Sequence, residues 1–513
     1  MRATPKETAR VAWAEAMEAM IEFLYRHRTK EPKLAANLTQ LELPNLLLTL
    51  EHLRGIAAAE RVVSLATRLE SLIAPLGRAR TLARVVDIRA HEARRLGGRS
   101  HAQYLAERAA IERSIDRGRY GEAADLGRSL LAAMNTSGDD AYLEAPYDIA
   151  MAYWTLGRAL QMSGAAEEAL KHLEEAGKRF RKLGADRMAN VVLTLQADCL
   201  SDLGRYDEAA DLYEESIRIG QEADDLRSVA VNKGQLATLR AAQRRYPDAL
   251  KLHAAVRDVF EQLGEPSSVA TAWQQIGNVY LDCGQYNAAE RAYQDSLRIE
   301  VQVGNRAGEA MTLGALGNLY SKIERPEEAV LFYRRAAEAF VEVGDLRFES
   351  VTRYNIADEL VRLTRYDEAR KELLRAIECE QPFGHVAAPW KMFSALSNLE
   401  RAVGDQPAAL KARDQAVQAY LAYRRDGGES QTTGAQLCAA IALDPDAARG
   451  RLAELRQEPD VPAWLTALLP LLEAVLDGSR DPALADDPNL NYADAAELLL
   501  LIEALALRDA ASA

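Results

Sequence analysis

Across residues 6–29 and 43–75 apolar side chains return at every third or fourth position, as in Leu46, Leu47, Leu50 and Leu53 and then Val62, Leu65, Leu69 and Leu72. Such spacing lays one apolar stripe along an α-helix. Pro44 is expected in the first turn of a helix, where its missing N–H has no partner to lose. A further helix is predicted over about 79–96, ending at Gly97-Gly98.

From about residue 146 a longer period overlies the helical one. Alanine stands at 169, 209, 249, 289, 329, 369 and 409, every fortieth residue. Gly184, Gly264, Gly304, Gly344 and Gly384 keep the same interval, with Ala223-Asp224-Asp225 in the missing place. Tyr206, Tyr246, Tyr286 and Tyr366 stand three residues before their alanines. A fixed period of this length predicts stacked helical hairpins, and a binding surface rather than a reaction centre. In the unit 266–304, Trp273, Ile276, Gly277 and Tyr280 share one face of a first helix. Ala289, Tyr293 and Leu297 form the inner stripe of a second. Gly277 and Ala289 are small where the helices cross closely, and Gly304 takes the positive φ that ends the second helix. The regular run spans about 146–424. Before it, 101–135 reads as a first hairpin around Arg119-Tyr120-Gly121-Glu122-Ala123, set off by an insertion near Asn135–Ala145.

These marks resemble the tetratricopeptide repeat, whose W-L-G-Y…A…P signature is visible in 266–304. The 40-residue form resembles the repeats of Pins/LGN-type adaptors and of MalT-like bacterial regulators. Gly304-Asn305-Arg306-Ala307-Gly308-Glu309 and Leu316-Gly317-Asn318-Leu319-Tyr320 match that type closely. The resemblance covers about 101–424 and implies an all-α fold, a right-handed superhelical solenoid of antiparallel helix pairs. Residues 1–100 are then expected to be a helical lead-in that caps the array. The polar stretch 425–434 is a break, and 435–513 forms a C-terminal helical cap over the array's apolar end. Leu41-Glu42-Leu43-Pro44-Asn45-Leu46-Leu47 resembles the junction that opens the tetratricopeptide sensor of STAND-type signalling ATPases.

Charge narrows the partners. Residues 1–100 hold 17 Lys and Arg against 11 Asp and Glu, while the whole chain carries −14. The remainder is therefore acidic, and an acidic array argues against nucleic acid, whose phosphates need a basic track. Cys199, Cys283, Cys379 and Cys438 lie far apart with no CxxC pair, as buried thiols of a reducing compartment do. No apolar stretch is long enough for a bilayer, and the N-terminus does not read as a secretion signal. A cytoplasmic location without membrane contact is expected.

No phosphate loop, dinucleotide fingerprint, zincin pair or nucleophile elbow occurs, so no catalytic residue, cofactor or metal is expected. Asp481, Asp486, Asp487 and Asp494 lack EF-hand spacing and read as helix-capping acids.

Function is expected on the face of the first helices. The residue after the small Gly or Ala is polar in every unit: Arg158, Asp198, Thr238, Asn278, Asn318, Asp358 and Asn398. Asparagine is a mediocre helix former that offers donors and an acceptor, and in Pins/LGN-type adaptors equivalent asparagines hold an extended peptide. One turn earlier stand Gln274 and Tyr354. One turn later Asp202 and Asp282 give way to Lys322 and Arg362, joined by Lys391 and Arg401. Together these predict a non-enzymatic module, adaptor or sensor, that binds a peptide or protein partner of opposite charge polarity in the groove. The alternative is a ligand-sensing regulatory region of a STAND-type system that controls a separate effector.

Overall fold

The computed structural model describes residues 5–28, 31–56, 59–73, 76, 79–93, 95, 99–116, 118–426, 428, 430, 432–456 and 462–512. The Gly97-Gly98 helix stop lies outside them, as do residues 427, 429 and 431 of the polar break. Among the described residues the chain is all helical, and it divides into two compact units, Met1–Gln243 and Arg244–Ala513.

The first unit opens with α1 (Pro5–His27), α2 (Pro32–Ile56), α3 (Ala59–Ile73) and α4 (Ala79–Ala93). Their apolar stripes meet in one core around Leu46, Leu50, Val62 and Leu69. Pro44 sits inside α2 rather than in a first turn, so the helix runs through a residue that cannot donate to its ladder. There follow α5 (His101–Asp116), α6 (Tyr120–Ser137), α7 (Ala145–Met162), α8 (Ala166–Lys182), α9 (Asp186–Asp202), α10 (Tyr206–Glu222) and α11 (Leu226–Ala242). Each packs on its chain neighbours. The insertion before α7 is bonded down: Asp148, fully buried, accepts from the Tyr142 hydroxyl at 2.9 Å and faces His101 Nδ1 at 2.7 Å.

The second unit continues the pattern with α12 (Tyr246–Leu263), α13 (Pro266–Asp282), α14 (Tyr286–Val303), α15 (Arg306–Lys322), α16 (Pro326–Val343), α17 (Leu346–Arg362) and α18 (Tyr366–Glu380). A 3-10 segment, Gln381–Ala387, leads to α19 (Trp390–Val403) and α20 (Gln406–Arg425). Then come α21 (Thr433–Leu443), α22 (Pro445–Arg456), α23 (Ala463–Leu476), a 3-10 turn at Pro482–Asp486 and α24 (Tyr492–Ser512). The last helices share one core with α20, built on Leu421, Ile441, Leu468, Leu472 and Leu498. Arg413, buried in α20, fastens that end by donating to the carbonyls of Asp487 at 2.8 Å, Ala485 at 3.0 Å and Leu490 at 3.2 Å.

The 40-residue marks have physical counterparts. Ala169, Ala209, Ala249, Ala289, Ala329 and Ala369 have no solvent exposure. A Cβ added at Gly277 would stand 2.5 Å from the Tyr293 ring, and one at Gly317 equally close to Tyr333. Second helices end in a left-handed residue, Gly304 at φ +68° and, where glycine is missing, Asp224 at φ +52°. Asp225, Asn305, Asp345 and Asp405 then cap the next helix, each accepting from a backbone N–H three residues on.

Candidate functional site

In the first unit the faces of α7, α9 and α11 enclose a cleft of about 840 Å³. Arg158 and Asp198 line it; Thr238 and Asp202 do not. Arg158 is half-buried, with Nη1 2.8 Å from Glu112 Oε2 and its guanidinium 5.7 Å above the Trp154 ring. Asp198 accepts the Tyr213 hydroxyl. Burial pushes the Asp198 carboxyl up from its ordinary range, the Tyr213 bond opposes that, and the nearby Asp202 charge adds to it. Exposed Asp202 accepts from Gln161 Nε2 at 2.8 Å, and Thr238 donates to the Gly234 carbonyl of its own helix at 3.1 Å. Deeper in the cleft, Thr194 donates to Asn232 Oδ1 at 2.7 Å, and Asn232 Nδ2 to the Ser228 carbonyl at 3.0 Å.

In the second unit the polar row is fastened within each repeat. Tyr293 of α14 donates to Asn278 Oδ1 of α13 at 2.7 Å, and Tyr333 of α16 to Asn318 Oδ1 of α15 at 2.6 Å. A buried phenol needs a partner, and the carboxamide oxygen supplies it. Asn278 Nδ2 reaches Gln275 Oε1 at 3.3 Å. Asp358 and Asn398 are exposed, and their repeats carry Leu373 and Arg413 where the others carry tyrosine. Gln274 and Tyr354 are half-buried, and Asp282, Lys322, Arg362, Lys391 and Arg401 are exposed. Of the charged positions, Arg362 leans on buried Glu359 at 3.3 Å. None of these groups bonds to its equivalent in the next repeat among the described residues.

A second row was not foreseen. Two turns before the polar position, four of the seven first helices expose an apolar side chain: Val191 is 39% and Val231 42% accessible in the first unit, Met311 40% and Val351 53% in the second, while Met151 is buried and Thr271 and Lys391 are polar. Seven residues is two helical turns, so each lies on the same face as its polar partner. Their recurrence at 40-residue spacing was the available signal. It was hidden because an apolar residue in an amphipathic helix reads as core.

Helix pairs crossing on glycine and alanine, with a periodic row of mixed polarity on the first helices, define a helical-repeat protein. The repeats within residues 148–342 are tetratricopeptide repeats: the tetratricopeptide repeat family model matches residues 148–222, 228–299 and 268–342. Among solved structures the chain is similar to BtubC (BKLC) from P. vanneervenii at 20% identity, over 46% of this chain and 93% of that one, with a TM-score of 0.36. It is similar to the signal transduction ATPase with numerous domains and a tetratricopeptide repeat sensor from Pyrococcus horikoshii at 14% identity, over 79% and 74%, TM-score 0.43. Aspartyl phosphate phosphatase F from Bacillus subtilis follows at 13% identity, over 74% and 96%, TM-score 0.42.

No described helix is long and apolar enough to cross a membrane. Among the described residues no three His, Cys, Asp or Glu side chains converge as metal ligands. The cysteines are free thiols, and Cys199, Cys379 and Cys438 are buried.

Proposed function

We propose that the chain is a non-enzymatic interaction module, of adaptor or sensor type, whose first-helix faces bind an extended polypeptide. The observation that carries this is the exposed apolar row beside the polar one. Val191, Val231, Met311 and Val351 contribute nothing to solubility and are not covered by the fold. An extended chain presents side chains and backbone amides together, and a surface of apolar and hydrogen-bonding rows complements both. The exposed Asp282, Lys322 and Arg362 add a change of charge along the second unit that orients the partner.

The test is retention of a partner that co-purifies with the full chain. Met311→Glu with Val351→Glu is expected to release it, and Leu331→Glu on α16 to retain it. Equal retention by both variants contradicts the proposal.

A further inference from the structure

Two polar atoms in the cleft on α7, α9 and α11 are left without a partner by the fold. Trp154 Nε1 and Asn190 Oδ1 are both buried and neither is hydrogen-bonded among the described residues, and both residues line the cleft. Asn190 is only 7% exposed, so an unmet amide oxygen there is a standing cost to stability.

The repeat register makes that cost unnecessary. At the places equivalent to Asn190 stand Ala150, Ala230, Ala270, Ala310, Ser350 and Trp390, all buried. Five of the six are small and none carries an amide, so the amide is an addition to what stacking needs. Trp154 departs as well: Thr194, Gly234, Gln274, Gly314, Tyr354 and Ser394 occupy its equivalents, and none carries an indole. Both departures fall in the one cleft.

We infer that this cleft is a subsite for one residue of an extended peptide, its backbone amide received by Trp154 and Asn190 and its apolar side chain seated between Val191 and Val231. A secondary amide offers one donor and one acceptor, which is what an indole N–H and an amide oxygen require. A carboxylate offers acceptors alone and leaves Asn190 unmet; an ammonium offers donors alone and leaves Trp154 unmet. Asp186, Asp198 and Asp225 balance Arg158, Arg187 and Arg227 in the lining, so nothing there selects a charged side chain. Val191 and Val231 supply an apolar flank on adjacent first helices. The inference rests on the interaction reading above and gives it a position and a ligand class.

The probes are four pools of acetylated, amidated pentapeptides with Leu, Val, Asp or Lys fixed at the centre and the flanks varied, titrated into the full chain. Indole N–H resonances report binding, with Trp154→Phe identifying the one concerned. The Leu and Val pools are expected to shift the Trp154 resonance, and the Asp and Lys pools to bind at least tenfold more weakly. Asn190→Ala is expected to lower affinity for the Leu pool at least tenfold while melting at the same temperature as the parent or higher. The inference is overturned if charged pools bind as well as apolar ones, if no pool moves the Trp154 signal, or if Asn190→Ala keeps its affinity. A lowered melting temperature for Asn190→Ala also overturns it, because the amide is then structural. Should the pools fail while partner retention still depends on Met311 and Val351, the subsite falls and the interaction reading stands.

Discussion

Tyr293 donates its hydroxyl to Asn278 across the two helices of one repeat, fifteen residues on in the chain, and Tyr333 repeats the bond to Asn318. The ring of each tyrosine occupies the space that glycine leaves at 277 and 317. Asn278 and Asn318 of the polar row thus hold their own repeats together. Replacing Asn278 by alanine would orphan a buried phenol, so that variant cannot separate binding from stability.

Tyr293→Phe is the cleaner probe of the bond. It keeps the ring and removes the donor, and is expected to cost about 1 kcal/mol. Gly277→Ala drives a methyl into the ring and is expected to cost ~1–3 kcal/mol through overpacking. Denaturant titration measures both; a neutral Gly277→Ala would mean that the crossing is looser than the 2.5 Å approach implies.

Three turns between the two helices of a repeat place a non-glycine residue in the left-handed region, Arg244, Glu324 and Thr364, where equivalent turns have Gly164, Gly204, Gly284 and Gly404. Thr364, at φ +58°, is β-branched and the most strained by type. Thr364→Gly should stabilise the chain by about 1 kcal/mol, read as a raised denaturation midpoint. A loss of stability would show that the turn carries no strain.

Two histidines give stability opposite dependences on pH. His253 is buried where Tyr213, Tyr293 and Tyr333 stand in other repeats, and burial holds its imidazole down at about 4. The unfolded chain protonates first, near the ordinary 6.5, so the contribution is intact above that pH and is lost as pH falls toward 4. About 3 kcal/mol is at stake. His253→Leu, the residue found at 173 and 373, should flatten this acid limb.

His101 behaves in reverse. The bond to Asp148 raises its pKa, with desolvation opposing and the Asp148 and Glu144 charges assisting. Its contribution is complete below about 6.5 and fades as pH rises through the raised value. Melting curves of His101→Gln across pH 5–9 should lack that fade; an unchanged profile would remove the ion pair from the account.

The period made the helix pairs legible, because alanine and glycine at a crossing are demanded by distance and distance repeats. The tyrosine–asparagine bond was legible too, had partners been sought: Asp198, Asn278 and Asn318 occur in the repeats that carry Tyr213, Tyr293 and Tyr333. The register alone treats each row separately and misses the coupling between rows. Pro44 was misplaced because a proline is read as a start signal, although a packed helix can run past one. The cleft was out of reach of pattern reading. Asn190 looks like one polar residue among many until its burial and its missing partner are known.

The most direct measurement is site-specific photo-crosslinking of the full chain in the cells that express it. A benzophenone side chain is placed at Met311 or Val351 on the first helices, or at Leu331 or Leu374 on the second. The account predicts covalent adducts to a polypeptide partner from 311 and 351, and none from 331 and 374. Adducts from the second helices alone, or equally from all four positions, would contradict it.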